Sequence, residues 1–332
     1  MRKEIRLKKK RVLFCILMCA CLTMAACGKS DSEEGQASQT KYERAIAVNN
    51  GTLSDDSVAI SVGKTAVTYA EYKAYDYFMK NQFESVLGQD VWKYKLDGDG
   101  KTVGQDAVED VLRLIIQVKV IKKTADAQGI TLAADEKEAA DNSAMKYCET
   151  LSDNVKKAYG INTAMLGTIF EENKLAEKMY NIIVGKADVK LTDNQCQAAR
   201  VQLIYLGAGA DKETVRKTAE GLRTKALKAG SFYTFAREHT QMDEVECLIG
   251  RQDTRERLAT ACLALKRGAI SEVIEEADGF YIACCIETDS KALRKEYKNQ
   301  VVEKRQNEAF TDAYRMWAKG YEVKASKSLL VK

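Results

Sequence analysis

Val201-Gln202-Leu203-Ile204-Tyr205-Leu206 alternates apolar residues at Val201, Leu203 and Tyr205, with Ile204 and Leu206 between them. Such a run reads as a buried strand. Asp211 to Ala229 follows with Val215, Ala219, Leu222 and Ala226 on one stripe, an amphipathic helix that Gly230 ends. Ser231 caps a short helix carrying Phe232, Phe235 and Ala236, and Thr254 to Leu265 is helical again. Val273 to Glu275, the Asp278-Gly279 turn and Phe280 to Ile286 then predict a hairpin. The order β–α–α–α–β–β makes this a small α/β unit. Cys284 and Cys285 are adjacent, so on a strand their side chains point opposite ways and only one is expected to face the core.

Upstream the pattern is helical. Val58, Ile60 and Val62 alternate, Gly63-Lys64 turns, and Thr68-x-x-Glu71 predicts a capping box for a helix through Tyr72, Tyr75 and Phe78. Leu96 to Thr102 is a polar break, whose glycines fit neither a phosphate loop nor a calcium loop because Lys95 stands where each motif needs another residue. Val111, Leu114, Val118, Ile121 and Ala125 recur at helical spacing, with Gly129 and Ile130 as a C-terminal cap. Further helices are expected over Asp135 to Leu151 and Thr163 to Val184. Downstream, Lys291 to Lys319 reads as one helix of roughly 43 Å. Its stripe runs through Leu293, Tyr297 and Val301, then Phe310, Tyr314 and Trp317. A helix of that length outruns the α/β unit, so it is expected to return to the first helical body.

The chain has no proline and one histidine, His239. That excludes any two-histidine chemistry and fits long unbroken helices. His239 reads as an exposed or partly packed side chain. Residues 1–26 hold seven positive side chains, one negative and an apolar run, and end Met24-Ala25-Ala26-Cys27. The charged start and apolar run have the form of an exported leader, and its end resembles the lipobox of bacterial lipoproteins with Met24 in place of the usual leucine, which implies lipid attachment at Cys27; an ordinary signal peptide or an uncleaved anchor is the alternative. Removing its net +6 from the whole chain's +4 leaves −2, so a nucleic-acid reading loses its support. Gly28 to Asp56 is rich in Ser, Glu, Gln, Asn and Gly, the composition of a tether. The six cysteines beyond Cys27 show no C-x-x-C spacing, so no zinc ribbon or thioredoxin-type site is indicated; they read as small buried residues, with disulfide pairing in an exported chain as the alternative.

Several runs resemble a known family. Leu227-Lys228-Ala229-Gly230-Ser231-Phe232 with Phe235-Ala236, Leu263 to Ser271 around Gly268, and Asp278-Gly279-Phe280-Tyr281-Ile282 are similar in order and spacing to the parvulin-type domain of PrsA-type foldase lipoproteins. The resemblance implies an α+β fold: a mostly helical SurA-like N-domain completed by the C-terminal helix, with an inserted parvulin-like α/β domain. The expected boundaries are 1–26 leader, 27–56 tether, 57–190 helical domain, 191–289 parvulin-like domain and 290–332 returning helix. It implies peptidyl-prolyl cis-trans isomerase ancestry, but the family's residues do not carry over. Its two histidines fall at Leu203 and Tyr281, its acidic or thiol residue at Met242 beside Asp243, and its glycine pair is reduced to Gly250.

No nucleophile elbow, metal cluster or nucleotide motif accompanies the lone histidine, so no cofactor or metal is expected. Prolyl isomerisation breaks no covalent bond and needs only a pocket that favours the twisted amide over a barrier of ~18–20 kcal/mol. The expectation is an apolar groove of Leu203, Leu258, Leu263, Phe280 and Tyr281 that binds peptide with weak or absent isomerase activity. The protein is then an extracytoplasmic foldase or chaperone, held on the outer face of a bacterial membrane through Cys27, with unfolded or nascent secreted polypeptides as partners. Oligomeric state is left open, a dimer included. The competing readings are a solute-binding lipoprotein, which would need a second α/β lobe, and a structural surface lipoprotein.

Overall fold

The computed structural model describes residues 46–47, 52–95, 102–209 and 211–330. The leader, Cys27, most of the tether and most of the polar break at Leu96 to Thr102 lie outside these residues. The fold is α+β, in two compact units. One comprises residues up to Ala187 together with Asn307 onward, and the other runs from Asp188 to Gln306.

In the first unit, strands β1 (Ile46–Ala47), β2 (Val58–Val62) and β3 (Thr65–Thr68) join a late strand, β8 (Val323–Ala325), in the order β1-β8-β2-β3. The alternation at Val58 to Val62 and the Gly63 turn produce the β2–β3 hairpin. β8, which periodicity did not reveal, pairs antiparallel with β2. Helix α1 (Tyr69–Leu87) buries Tyr72, Tyr75, Met79 and Phe83 at helical spacing. Its N-cap differs from expectation. The Thr68 hydroxyl accepts from the Glu71 N–H at 3.2 Å, but the Glu71 carboxylate pairs with Lys119 instead of returning to the cap. A buried ammonium attracts a carboxylate more strongly than one exposed amide does.

Helix α2 (Val103–Ala127) starts with a reciprocated Thr102–Gln105 capping box. Its apolar residues cover nearly the whole circumference, Leu112, Ile115, Val118 and Ile121 among them, which is the pattern of a central helix. Ile130 N–H returns to the Ala125 carbonyl past Gly129, closing the helix as expected. Helix α3 (Ala134–Thr150) buries only Ala140, Ala144 and Cys148. The short helix α4 (Asp153–Tyr159) follows, and α5 (Thr163–Val184) starts at an Asn162 cap.

The second unit is a four-stranded antiparallel sheet in the order β5-β4-β7-β6, formed by β4 (Ala198–Gly207), β5 (Glu246–Gly250), β6 (Ile274–Glu276) and β7 (Gly279–Glu287). The observed order is β–α–α–β–α–β–β, because β5 adds a strand between the second and third helices. Cys247, Leu248 and Ile249 are too short an apolar run to announce an edge strand. Helices α6 (Lys212–Ala226) and α7 (Phe232–His239) cover one face, where Ile204, Ile282 and Ala236 are buried with Phe232 and Phe235 against them. Helix α8 (Glu256–Ala264) covers the other, packing Leu258 and Cys262 on Val201, Leu203 and Ala283.

A sheet covered on both faces overturns the expectation for the adjacent cysteines. Cys284 and Cys285 point to opposite faces and both are buried. The six described cysteines are free. Burial pushes the Cys247 thiol up to about 11 and the Cys262 thiol up to about 12, so both stay protonated and unreactive near neutrality.

Helix α9 (Lys291–Ala318) serves both units. Leu293, Tyr297 and Val301 pack on Ala198 and Leu248 in the second, and Phe310 is buried with Leu175 and Met179 in the first. The boundary therefore falls at Gln306, inside the helix, rather than at residue 290. The chain closes with α10 (Lys327–Leu330). Gly250 is dictated by α9, since a Cβ there would lie 2.6 Å from the Tyr297 ring and 2.5 Å from the Gln197 carbonyl oxygen.

Candidate functional site

The first unit holds a cleft of about 550 Å³ among α1, α2, α3 and α5. It follows from the sequence of α3. That helix has only alanines and a cysteine to bury, and it packs mainly on α5. Lys178–Glu136 at 2.5 Å and Lys137–Glu171 at 3.4 Å pin it there. A helix docked by small side chains onto one neighbour leaves room beside the next, and that room is the cleft.

Its walls are apolar and aromatic. Tyr75 and Phe78 of α1, Tyr147 of α3 and Phe170 of α5 line it, with Leu114 of α2 and Ile169 of α5 beneath. The rings form a chain: Tyr75–Phe78 at 6.3 Å, Phe78–Tyr147 at 5.5 Å and Tyr147–Phe170 at 6.1 Å between centroids. The first two are edge-on, an arrangement aromatic pairs favour. Burial pushes the Tyr147 phenol up to about 12. Polar groups are interspersed: the amides of Asn81, Gln82 and Asn173, the hydroxyl of Ser143, and the Lys174–Glu177 pair at 3.0 Å. An open apolar trough with amides among its walls can take up apolar side chains while offering hydrogen bonds to a polypeptide backbone.

The residues named from the sequence lie in the second unit. The structure brings Leu203, Leu258 and Tyr281 into one buried cluster, with Leu263 and Met242 partly buried against it. Phe280 is separated from them. Successive strand residues face opposite sides, so Phe280 stands on the α6 face, under the Arg216 guanidinium at 5.7 Å. The five therefore do not line one groove. Asp243 is exposed, and His239 packs tilted against Phe235 at 4.3 Å between ring centroids, on the α7 side.

A polar cluster missed in the sequence surrounds Tyr281. Its hydroxyl donates to Asp278 Oδ2 at 2.5 Å and accepts from Arg255 Nη1 at 3.4 Å. Asp253 holds that guanidinium through Nε at 2.8 Å and Nη2 at 2.7 Å. The guanidinium lies 5.3 Å over the Tyr281 ring, and Tyr205 packs against the same ring at 4.8 Å. Burial, with the Asp278 bond, holds the Tyr281 phenol above the ordinary tyrosine range. Asp253 and Arg255 alone signalled nothing, because their role depends on a strand 26 residues away.

No family model matches the chain, and no curated protein matches it. The chain is similar to solved foldases. A peptidylprolyl isomerase (PrsA) of Bacillus anthracis is 17% identical at a TM-score of 0.40, over 63% of this chain and 96% of that one. PrsA of Bacillus subtilis is 21% identical at 0.27, over 80% and 93%. A chain from the work on the SurA-like chaperones PEB4 and Cj1289 of Campylobacter jejuni is 14% identical at 0.31, over 81% and 98%.

Proposed function

We propose that this protein is an extracytoplasmic chaperone or foldase, lipid-anchored through Cys27 to the outer face of a bacterial membrane, that binds unfolded or nascent secreted polypeptide. The single observation that carries this reading is the aromatic-walled cleft of about 550 Å³. Reversible burial of a client's apolar side chains contributes about 1.5–3 kcal/mol each, enough to delay aggregation without a nucleotide or a covalent step. The test is aggregation of a chemically unfolded client, followed by light scattering with the full chain present. Ser143 is an exposed wall residue, so Ser143→Trp fills the cleft while leaving the helix intact. At least a tenfold higher concentration of the variant is expected for equal protection. Equal potency of variant and wild type would remove the cleft from the mechanism.

The second unit, on this reading, isomerises X–Pro bonds weakly or not at all. Leu203 is buried in the sheet, and Tyr281 is committed to Asp278 and Arg255. Neither presents an imidazole to a prolyl amide. A proline-limited refolding assay is expected to show less than a twofold acceleration at stoichiometric amounts of the full chain. Acceleration at catalytic amounts would refute the weak-activity reading and leave the holdase reading in place.

A further inference from the structure

The cleft also has an electrostatic bias. Glu71 and Tyr75 stand four residues apart on α1 and so share a face. Glu172 and Asn173 are neighbours on α5. Tyr75 and Asn173 both line the cleft and meet there, Asn173 Nδ2 lying 3.4 Å from the Tyr75 hydroxyl. Beside that contact Glu71 and Glu172 share a single cation, Lys119, at 2.7 and 2.5 Å. Two carboxylates on one ammonium leave an excess negative charge. Lys119 is 3% exposed and Glu172 7%, so solvent and salt screen that excess poorly. The Lys174–Glu177 pair on the same lining is balanced, and Lys122, which also acts on Glu172, is itself paired with Asp126 at 2.7 Å, so neither offsets it. The charge is felt in the cleft. After burial, Glu172 and Glu71 are the groups that push the Tyr75 phenol well above its ordinary value. The faces and edges of Phe78, Tyr147 and Phe170 complete the surroundings, and aromatic faces attract cations.

We propose that the cleft selects polypeptide segments in which a lysine or arginine is flanked by apolar residues. The cation sits against the aromatic wall on the side of the Glu71–Lys119–Glu172 cluster, and its apolar neighbours cover Leu114 and Ile169. This rests on the polypeptide-binding reading above and adds the chemistry of the preferred segment. The grounds are charge complementarity: a net anionic, aromatic-lined trough favours a cationic, apolar guest. One poorly screened charge at this range corresponds to about a tenfold preference at low salt.

The experiment titrates the full chain into fluorescein-labelled nonapeptides that differ only at the central residue, lysine, norleucine or glutamate, between identical leucine and phenylalanine flanks. Fluorescence polarisation is read at low and high salt. The lysine peptide is expected to bind about tenfold more tightly than the norleucine peptide, and the glutamate peptide more weakly than either. Because the excess charge is buried, added salt should narrow the gap only slightly. Glu71→Gln should reduce the lysine-to-norleucine ratio to near one, and Glu172→Gln does so independently should the first variant fail to fold. Equal affinity for lysine and norleucine peptides overturns this proposal and leaves the chaperone reading standing. Failure of all three peptides to bind overturns both.

Discussion

Lys119→Met is expected to lower the stability of the helical unit by about 3–5 kcal/mol, the loss seen when one partner of a buried ion cluster is removed. The ammonium joins α2 to Glu71 on α1 at 2.7 Å and to Glu172 on α5 at 2.5 Å. Burial by itself disfavours the charged lysine, but the two carboxylates together outweigh it and hold its pKa above the ordinary value. Glu172 is pushed up by burial against the pull of Lys119, as befits two anions sharing one cation. Without Lys119, the buried Glu172 and the partly buried Glu71 remain side by side, with only the more distant Lys122 still pulling on Glu172.

The pH dependence follows from that sign. A carboxyl whose pKa is higher folded than unfolded stabilises the fold at acid pH, and the contribution is lost as pH rises past its folded pKa. Removing Lys119 raises the Glu172 pKa further, so the variant's deficit grows with pH above the ordinary carboxyl value of 4.5. Urea unfolding read by tryptophan fluorescence checks this, because Trp92 and Trp317 both belong to the helical unit. The deficit is expected to be smaller at pH 5 than at pH 8. The combination Glu71→Leu, Lys119→Met and Glu172→Leu should recover most of it, since apolar residues of similar volume pack without uncompensated charge. A deficit under 1 kcal/mol, or one unchanged between the two pH values, would show that the cluster does not hold the helices together.

Gly279→Ala is expected to destabilise the α/β unit by about 3–5 kcal/mol, from backbone strain and a clash together. Gly279 opens β7 at φ +154, and a Cβ there would lie 2.2 Å from the Leu206 carbonyl oxygen and 3.0 Å from the Gly207 Cα. Both obstacles are backbone of β4, the strand paired with β7 through Leu206↔Phe280 and Gly207↔Gly279. No rotamer change relieves such a contact, so the pairing itself must shift. Gly268→Ala is the matched control. Its φ is +79, with no heavy atom within 4 Å of the added Cβ, so only the conformational penalty of about 1 kcal/mol applies. Thiol alkylation reports on this unit, because Cys262 and Cys285 are fully buried in it. Their labelling, located by mass spectrometry, should accelerate at least a hundredfold in Gly279→Ala and no more than about tenfold in Gly268→Ala. Equal acceleration in the two would mean that the close approach to β4 is not limiting.

The path from residues to elements was legible where the signal is local. Thr163 to Val184 is a helix with the ends its spacing predicts, because Asn162 caps it and its apolar residues recur on one stripe. The β4 strand and the β6–β7 hairpin follow from alternation and from the turn before Gly279. β5 and β8 were not legible, since a strand of three to five residues carries too few positions to show a period. The candidate cleft was legible only as an expectation that a helical body exposes apolar surface. Its walls come from positions between Tyr75 and Glu177 on four helices, and nothing in the spacing of one helix says which others will stand beside it.

The amino-acid sequence by itself determined the segments: which stretches are helix or strand, where most of them stop, and that the chain carries one small α/β unit among helices. Capping and periodicity act over a few residues, so they survive without knowledge of the fold. Only the tertiary structure decided which faces meet. It turned Glu71 from a cap residue into one of three members of a shared ion cluster, buried both Cys284 and Cys285, and set Phe280 apart from Tyr281. It also opened a cleft beside α3, because that helix's small side chains pack mainly on α5. Each of these outcomes depends on groups brought together from distant parts of the chain, and their energies arise only on contact.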